Sequence, residues 1–208
     1  MSRPILLRSD QHPYHVTARC NNQDFFPIPL SETWKIMVHE LWRAEKDFAI
    51  QVHAFVLMGN HFHLLCHTPK SNLDQAMHAF QRNSAVRILH RANKKNHLWG
   101  ARYRWSLIAN QGYYYQAYRY IYQNPVRAEL TARVEEYPYS TLRARVPFAL
   151  HDRLGIQMGG EPALLSWLNQ GLAKEDEKLI KLGLRKNQFD VNKKKLRLFE
   201  KLIGPKGT

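Results

Sequence analysis

Phe48-Ala49-Ile50-Gln51-Val52-His53-Ala54-Phe55-Val56-Leu57-Met58-Gly59-Asn60-His61-Phe62-His63-Leu64-Leu65-Cys66 is the segment from which the architecture unfolds. Phe48, Ile50, Val52, Ala54 and Val56 recur at every second position, the period of a strand. Gly59-Asn60 is a turn signal. His61 to Cys66 reads as the returning strand, so the segment is a β-hairpin. Alternate strand residues share a face, so His61 and His63 project together while Phe62 and Leu64 point into the core.

Working outward, Tyr14 to Cys20 is rich in β-branched and aromatic residues and predicts a first strand. Ser31 is placed to cap a helix running to about Lys46, with Trp34, Met37, Val38, Leu41 and Trp42 at helical spacing. Ser71-Asn72-Leu73-Asp74 is close to a capping box. It opens a second helix with Leu73, Met77, Phe80, Ser84 and Ile88 on one face. Arg102 to Ile108 predicts a fourth strand. Gln111 to about Gln123 predicts a third helix, closed by Asn124-Pro125. The order β-α-β-β-α-β-α is the split βαβ, ferredoxin-like pattern of the α+β class, with one helix added. It predicts an antiparallel sheet with helices mainly on one face. Residues 1–145 read as one domain and 146–208 as a basic extension, partly helical or flexible. A short helix is expected over Leu164 to Leu172, a turn or two at Leu196 to Ile203, and a mobile tail elsewhere from Lys174 onward.

The chain has 208 residues, 31 Lys plus Arg against 17 Asp plus Glu, and a net charge of +14. Such a surface attracts polyanions, nucleic acid foremost. Cys20 and Cys66 form no CxxC pair, which excludes a disulfide framework and a four-cysteine zinc site. No run is long and apolar enough for a bilayer, and the N-terminus does not read as a signal peptide. A cytoplasmic, nucleoid-associated location with no membrane partner is expected.

Three features carry chemistry. Two histidines side by side on a strand can bind one divalent ion, although a bare HxH also fits a half-exposed polar face. The tyrosines of the third helix are mostly packing and surface aromatics, but Tyr120 and Asn124 lie four apart on one face. That juxtaposes a phenol with an oxygen donor, as phosphotyrosyl chemistry requires. Lys94, Lys95, Arg102, Arg104 and Arg119 interleave with Trp99, Tyr103 and Trp105, a mixture suited to phosphates and unpaired bases.

Gly59 to Leu65 resembles the HUH signature of the single-tyrosine transposases, in which U is a bulky apolar residue. Tyr120-Ile121-Tyr122-Gln123-Asn124-Pro125-Val126-Arg127-Ala128 resembles that family's tyrosine-helix motif. Tyr14 to Arg19 resembles its first strand, and Tyr137-Pro138-Tyr139-Ser140-Thr141 the stretch after the helix. Four motifs thus agree in order over about residues 10 to 145. The likeness is greatest to the REP-associated tyrosine transposases. Two positions depart from the pattern: Gly59 stands where proline is common, and Glu129 where glycine is common.

The resemblance implies a metal-dependent endonuclease and strand transferase acting on single-stranded DNA at palindromic, hairpin-forming repeats. It implies Mg²⁺ or Mn²⁺ on His61 and His63 with Asn124 as third ligand. Tyr120 would attack phosphorus to give a 5′-phosphotyrosine and a free 3′-hydroxyl. Tyr122 is rotated about 200° from Tyr120 on a helix, so both cannot face one metal; Tyr118 and Tyr115 are the fallback nucleophiles. Lys94, Lys95, Arg102, Arg104, Arg119 and the tail residues Lys193, Lys194 and Lys195 are candidate DNA contacts, and the likeness favours a monomer. Two alternatives remain: a non-catalytic, sequence-specific DNA-binding regulator, and a metal-dependent nuclease in which water attacks.

Overall fold

The structure is a computed structural model and describes residues 5–152 and 154–189. The expected strands form one antiparallel sheet in the order β2-β3-β1-β4. They are β1 (Tyr14–Arg19), β2 (Gln51–Leu57), β3 (His61–His67) and β4 (Arg104–Leu107). Helix α1 (Leu30–Phe48) joins β1 to β2, and α2 (Leu73–Arg91) joins β3 to β4. Because β3 lies between β1 and β2, and β1 between β3 and β4, these are the two crossovers of the split βαβ pattern.

Strand alternation sorts the two faces. Tyr14, Val16 and Ala18 of β1 join Phe62, Leu64 and Cys66 of β3 in a core completed by Met37 and Leu41 of α1 and by Met77 and Phe80 of α2. Residues of opposite parity, Ala54, Val56 and Leu65, face a second core built on α3 (Gln111–Arg127). Helices therefore cover both faces of the sheet, not mainly one. Nearly every face of α3 is buried, with Ala117, Tyr118, Ile121 and Tyr122 almost fully enclosed.

Several boundaries differ from expectation for local reasons. Helix α1 runs through Phe48 and stops at Ala49, whose left-handed conformation (φ 57°) delays β2 to Gln51. Ser31 is not its cap: the helix begins at Leu30, after Pro29. Asn72 precedes α2 but makes no side-chain cap; its amide donates to the Phe48 carbonyl (3.0 Å) and ties the end of α1 to the start of α2. Pro125 does not close α3, which continues to Arg127. The Asn124 side-chain amide donates to Tyr120 O (2.9 Å) and Ile121 O (3.3 Å). It thereby serves the Ile121 carbonyl, which Pro125, lacking an N–H, leaves unmet.

The chain beyond residue 145 is largely packed as far as Phe189. Helices α4 (Leu154–Gln157), α5 (Glu161–Asn169) and α6 (Lys174–Gly183) surround α3. Leu154, Leu164, Trp167, Leu168, Ile180, Leu184 and Phe189 belong to the second core. Thus the segment from Lys174, expected to be a mobile tail, starts as a docked helix. The Leu196 to Ile203 segment and Lys193, Lys194 and Lys195 lie outside the described residues.

Both outer edges of the sheet are covered by this later chain. Beside β2, Leu57 N–H donates to Tyr139 O, Thr141 N–H to Phe55 O and His151 N–H to Val52 O. Beside β4, Leu107 N–H donates to Asn187 O and Phe189 N–H to Leu107 O. Cys20 and Cys66 are free and buried, and burial pushes each thiol up to about 12.

Candidate active site

The α3 face of the sheet carries the polar residues that strand alternation puts there. His61 and His63 project together from β3, with ring centroids 5.2 Å apart and planes at 82°. His15 on β1 was missed in the sequence. It pairs with Leu65, diagonally adjacent to His63, and its Nε2 lies 2.9 Å from His63 Nδ1. The signal available was parity: His15 occupies the same face of β1 as Thr17 and Arg19.

The electrostatics keep this cluster neutral. Burial lowers His15 to about 3 and His61 to about 4, with Arg19 adding to the latter effect. Burial also lowers His63 well below its ordinary value, with His15 and His61 acting in the same direction. Neutral imidazole is the form that binds metal. His61 Nδ1 sits 2.7 Å from Asn60 Oδ1, which holds the tautomer whose Nε2 presents a lone pair. His63, donating from Nδ1 to His15, would present Nε2 likewise. A ring nitrogen fixed by a partner while the other stays open is the usual support of a metal-bound histidine. The pair therefore fits a divalent cation. Among the described residues no group of three or more His, Cys, Asp or Glu converges on one metal position. Remaining coordination positions would fall to neutral oxygens, water or substrate.

Tyr120 faces the histidines from α3. Its ring centroid lies 5.8 Å from that of His63 and 6.5 Å from that of His15, edge-on to both. Burial raises its phenol above the ordinary value, and Arg127 pulls the other way. The other candidate tyrosines point elsewhere. Tyr118 is buried and donates to Asp152 Oδ2 (2.5 Å). Tyr122 is 3.0 Å from Thr141 Oγ1. Tyr115 accepts from Gln111 Nε2 (2.6 Å). Asn124 lines the same cleft as Tyr120, with its Oδ1 accepting from Arg127 Nη2 (2.9 Å). A carbonyl oxygen has a second lone pair, so this bond leaves one acceptor position.

The cleft between the β1–β3 surface and α3 has a volume of about 720 Å³. Arg19, Arg102, Arg104, Arg127, Lys181 and Arg185 contribute cations to its wall, and Glu177 is the one acidic residue among the described lining. Arg102 and Arg104, two of the candidate DNA contacts, are thus on the cleft wall. Lys94 and Lys95 are exposed in the α2–β4 connection, away from the cleft wall. Arg119, another candidate DNA contact, is not on that wall. It is buried, it donates to the Gln170 carbonyl, and its guanidinium stacks on Trp167 at 5.2 Å. A basic residue among aromatics looked like a nucleic-acid contact, but here it packs α3 against α5. Lys181 and Arg185 were missed because the segment from Lys174 read as unstructured.

The chain is similar in sequence and in fold to known proteins. The sequence model of the IS200-like transposase family matches residues 9–124, more than half of the chain. The REP-associated tyrosine transposase of Escherichia coli (strain K12) is 25% identical over 122 residues, covering 59% of this chain and 72% of that protein. A solved REP-associated tyrosine transposase bound to a REP hairpin superposes with a TM-score of 0.61 at 19% identity, covering 78% of this chain and 90% of that one. That match concerns the fold. A putative transposase from Deinococcus radiodurans R1 has a TM-score of 0.39 at 17% identity, covering 58% of this chain and 94% of its own. With the HUH strand and tyrosine helix in place on an antiparallel sheet, the chain belongs to the IS200-like transposase family.

Proposed function

We propose that this protein cuts and rejoins single-stranded DNA at hairpin-forming palindromic repeats through a covalent tyrosine intermediate. The observation that carries this reading is the placement of Tyr120. It is the tyrosine of α3 that lines the cation-walled cleft with the histidine pair. The REP hairpin held by the similar structure suggests the class of substrate.

In this reading the cations of the cleft bind the DNA backbone, and Tyr120 Oη attacks the scissile phosphorus. The O–P bond to tyrosine forms as the P–O3′ bond breaks, the phenol loses its proton and the departing 3′ oxygen gains one. The products are a 5′-phosphotyrosine and a free 3′-hydroxyl. That hydroxyl attacks a second phosphotyrosine in the reverse sense, so joining needs no ATP. His15 fixes the ring of His63. Mg²⁺ or Mn²⁺ held by His61 and His63, with Asn124 as third ligand, would supply Lewis-acid polarisation of the phosphate.

The test uses 3′-end-labelled single-stranded DNA carrying palindromic repeats from the source genome. It is incubated with protein and Mn²⁺ or Mg²⁺ and resolved on a denaturing gel. A metal-dependent labelled protein band, lost in Tyr120→Phe and in His61→Ala/His63→Ala, is expected. Cut DNA without that band would mean attack by water. A native complex without cutting would mean a binding-only regulator.

A further inference from the structure

We propose that Arg127 is a tyrosine-positioning residue of strand cleavage and that its Nη1 takes a non-bridging oxygen of the scissile phosphate. The inference rests on the strand-cleavage reading above and adds to it a residue outside the histidine, asparagine and tyrosine set.

Arg127 lies seven residues after Tyr120 and three after Asn124, on the same face of α3. Its guanidinium lies over the Tyr120 ring, 4.0 Å from the centroid. Nη2 donates both to Tyr120 O (3.2 Å) and to Asn124 Oδ1 (2.9 Å). Nε is 3.2 Å from Glu177 Oε1 on α6. One planar cation thus holds the ring, the backbone and the neighbouring amide of the nucleophile's turn. An arginine serving only the helix end would bond the last carbonyls; this one reaches back two turns.

Nη1 is the remaining donor. It is buried without a hydrogen-bond partner among the described residues, in an arginine that lines the cleft. Leaving a charged donor unmet in the interior is costly. A guanidinium offers parallel donors that match phosphate oxygens. The reacting phosphate, brought against Tyr120, is an anion of the chemistry that would complete the fork. The step itself is unchanged: the tyrosyl O–P bond forms, the P–O3′ bond breaks, and Arg127 remains protonated throughout.

Arg127→Gln and Arg127→Lys are compared with the unmodified full-length chain in single-turnover adduct formation on the repeat DNA. Equilibrium binding of the same DNA is measured in a Tyr120→Phe background. Arg127→Gln should slow adduct formation at saturating DNA by about a hundred-fold and weaken binding by about ten-fold. Arg127→Lys should recover binding but not rate, because an ammonium carries the charge without the stacked fork. Undiminished rate in Arg127→Gln overturns the proposal. So does a parallel loss of rate, affinity and melting temperature in both variants, which a purely structural role predicts.

Absence of adduct with the unmodified protein on every repeat would count against the strand-cleavage reading itself. The positioning claim is then decided by ¹⁹F NMR of protein labelled with 3-fluorotyrosine. The resonance missing from Tyr120→Phe identifies Tyr120. It should shift or broaden in Arg127→Gln, and an unmoved resonance overturns the proposal.

Discussion

His15 shows how much one side chain can depend on strand parity. It is enclosed by α3 and the sheet, only 2% exposed, and its one described hydrogen-bond partner is His63. On the strand-cleavage reading proposed above, its part is to fix the ring of His63, a candidate ligand. Partners of that kind typically contribute ten- to a hundred-fold to metal affinity or activity. His15→Ala should raise the Mn²⁺ concentration needed for half-maximal adduct formation by about ten-fold, as a metal titration would read. The HxH pair itself was legible because a strand has period two. Tyr120 was separable from Tyr122 because a helix advances about 100° per residue. Arg119 was misread because sequence does not show whether a cation among aromatics meets phosphate or, as here, Trp167.

At the scale of elements, the end of α3 carries a local cost. Glu129 adopts the left-handed conformation (φ 56°), with its N–H on Val126 O and the Leu130 N–H on Pro125 O. This is the position where glycine caps a helix without steric penalty. The sequence departs from the family's glycine there, yet the backbone keeps the glycine-like turn. Glu129→Gly should stabilise the protein by about 1 kcal/mol, measured by urea unfolding. The α1–α2 pair is held differently. Glu40 is buried in their interface and accepts from Arg87 Nη1 at 2.7 Å, with Arg43 at 3.7 Å. Arg87→Met should destabilise by about 2 kcal/mol, since it strips a buried carboxylate of its nearest cation. An unchanged unfolding midpoint would show that Arg43 suffices.

For the whole molecule, the first core was legible and the second was not. Helices α1 and α2 advertise one apolar stripe each, which the strand alternation answers. The second core draws on Trp167, Ile180, Leu184 and Phe189, spread through segments whose Lys and Glu residues resemble a solvated surface. Only the docked chain reveals that Ile180 and Leu184 anchor it. A half-buried histidine, His53, borders the same core through Tyr114. His53 is lowered to about 4, chiefly by burial and secondarily by His67 and His151, and sits 2.8 Å from Tyr114 Oη. Unfolded, it titrates near its ordinary value of about 6.5. Its folded pKa is the lower one, so its stabilising contribution is complete above about pH 6.5 and is lost as pH falls towards 4. The loss is up to about 1.4 kcal/mol per pH unit within that window. His53→Gln should flatten the fall in melting temperature between pH 6.5 and 4.5; an unchanged slope would show that His53 does not contribute to it.

The strapping of β4 by residues 187–189 also has a consequence for how the chain is made. The strand it protects ends at Leu107, yet its outer partner is synthesised some eighty residues later. At about 5–20 residues per second, the outer edge of β4 stays bare on the ribosome for several seconds after the strand is made. Unpaired strand edges recruit other strands. The nascent chain therefore passes through a window in which four strands are present but both borders are open; the β2 border is met first, by residues 139–151, and the window closes when Phe189 docks beside Leu107.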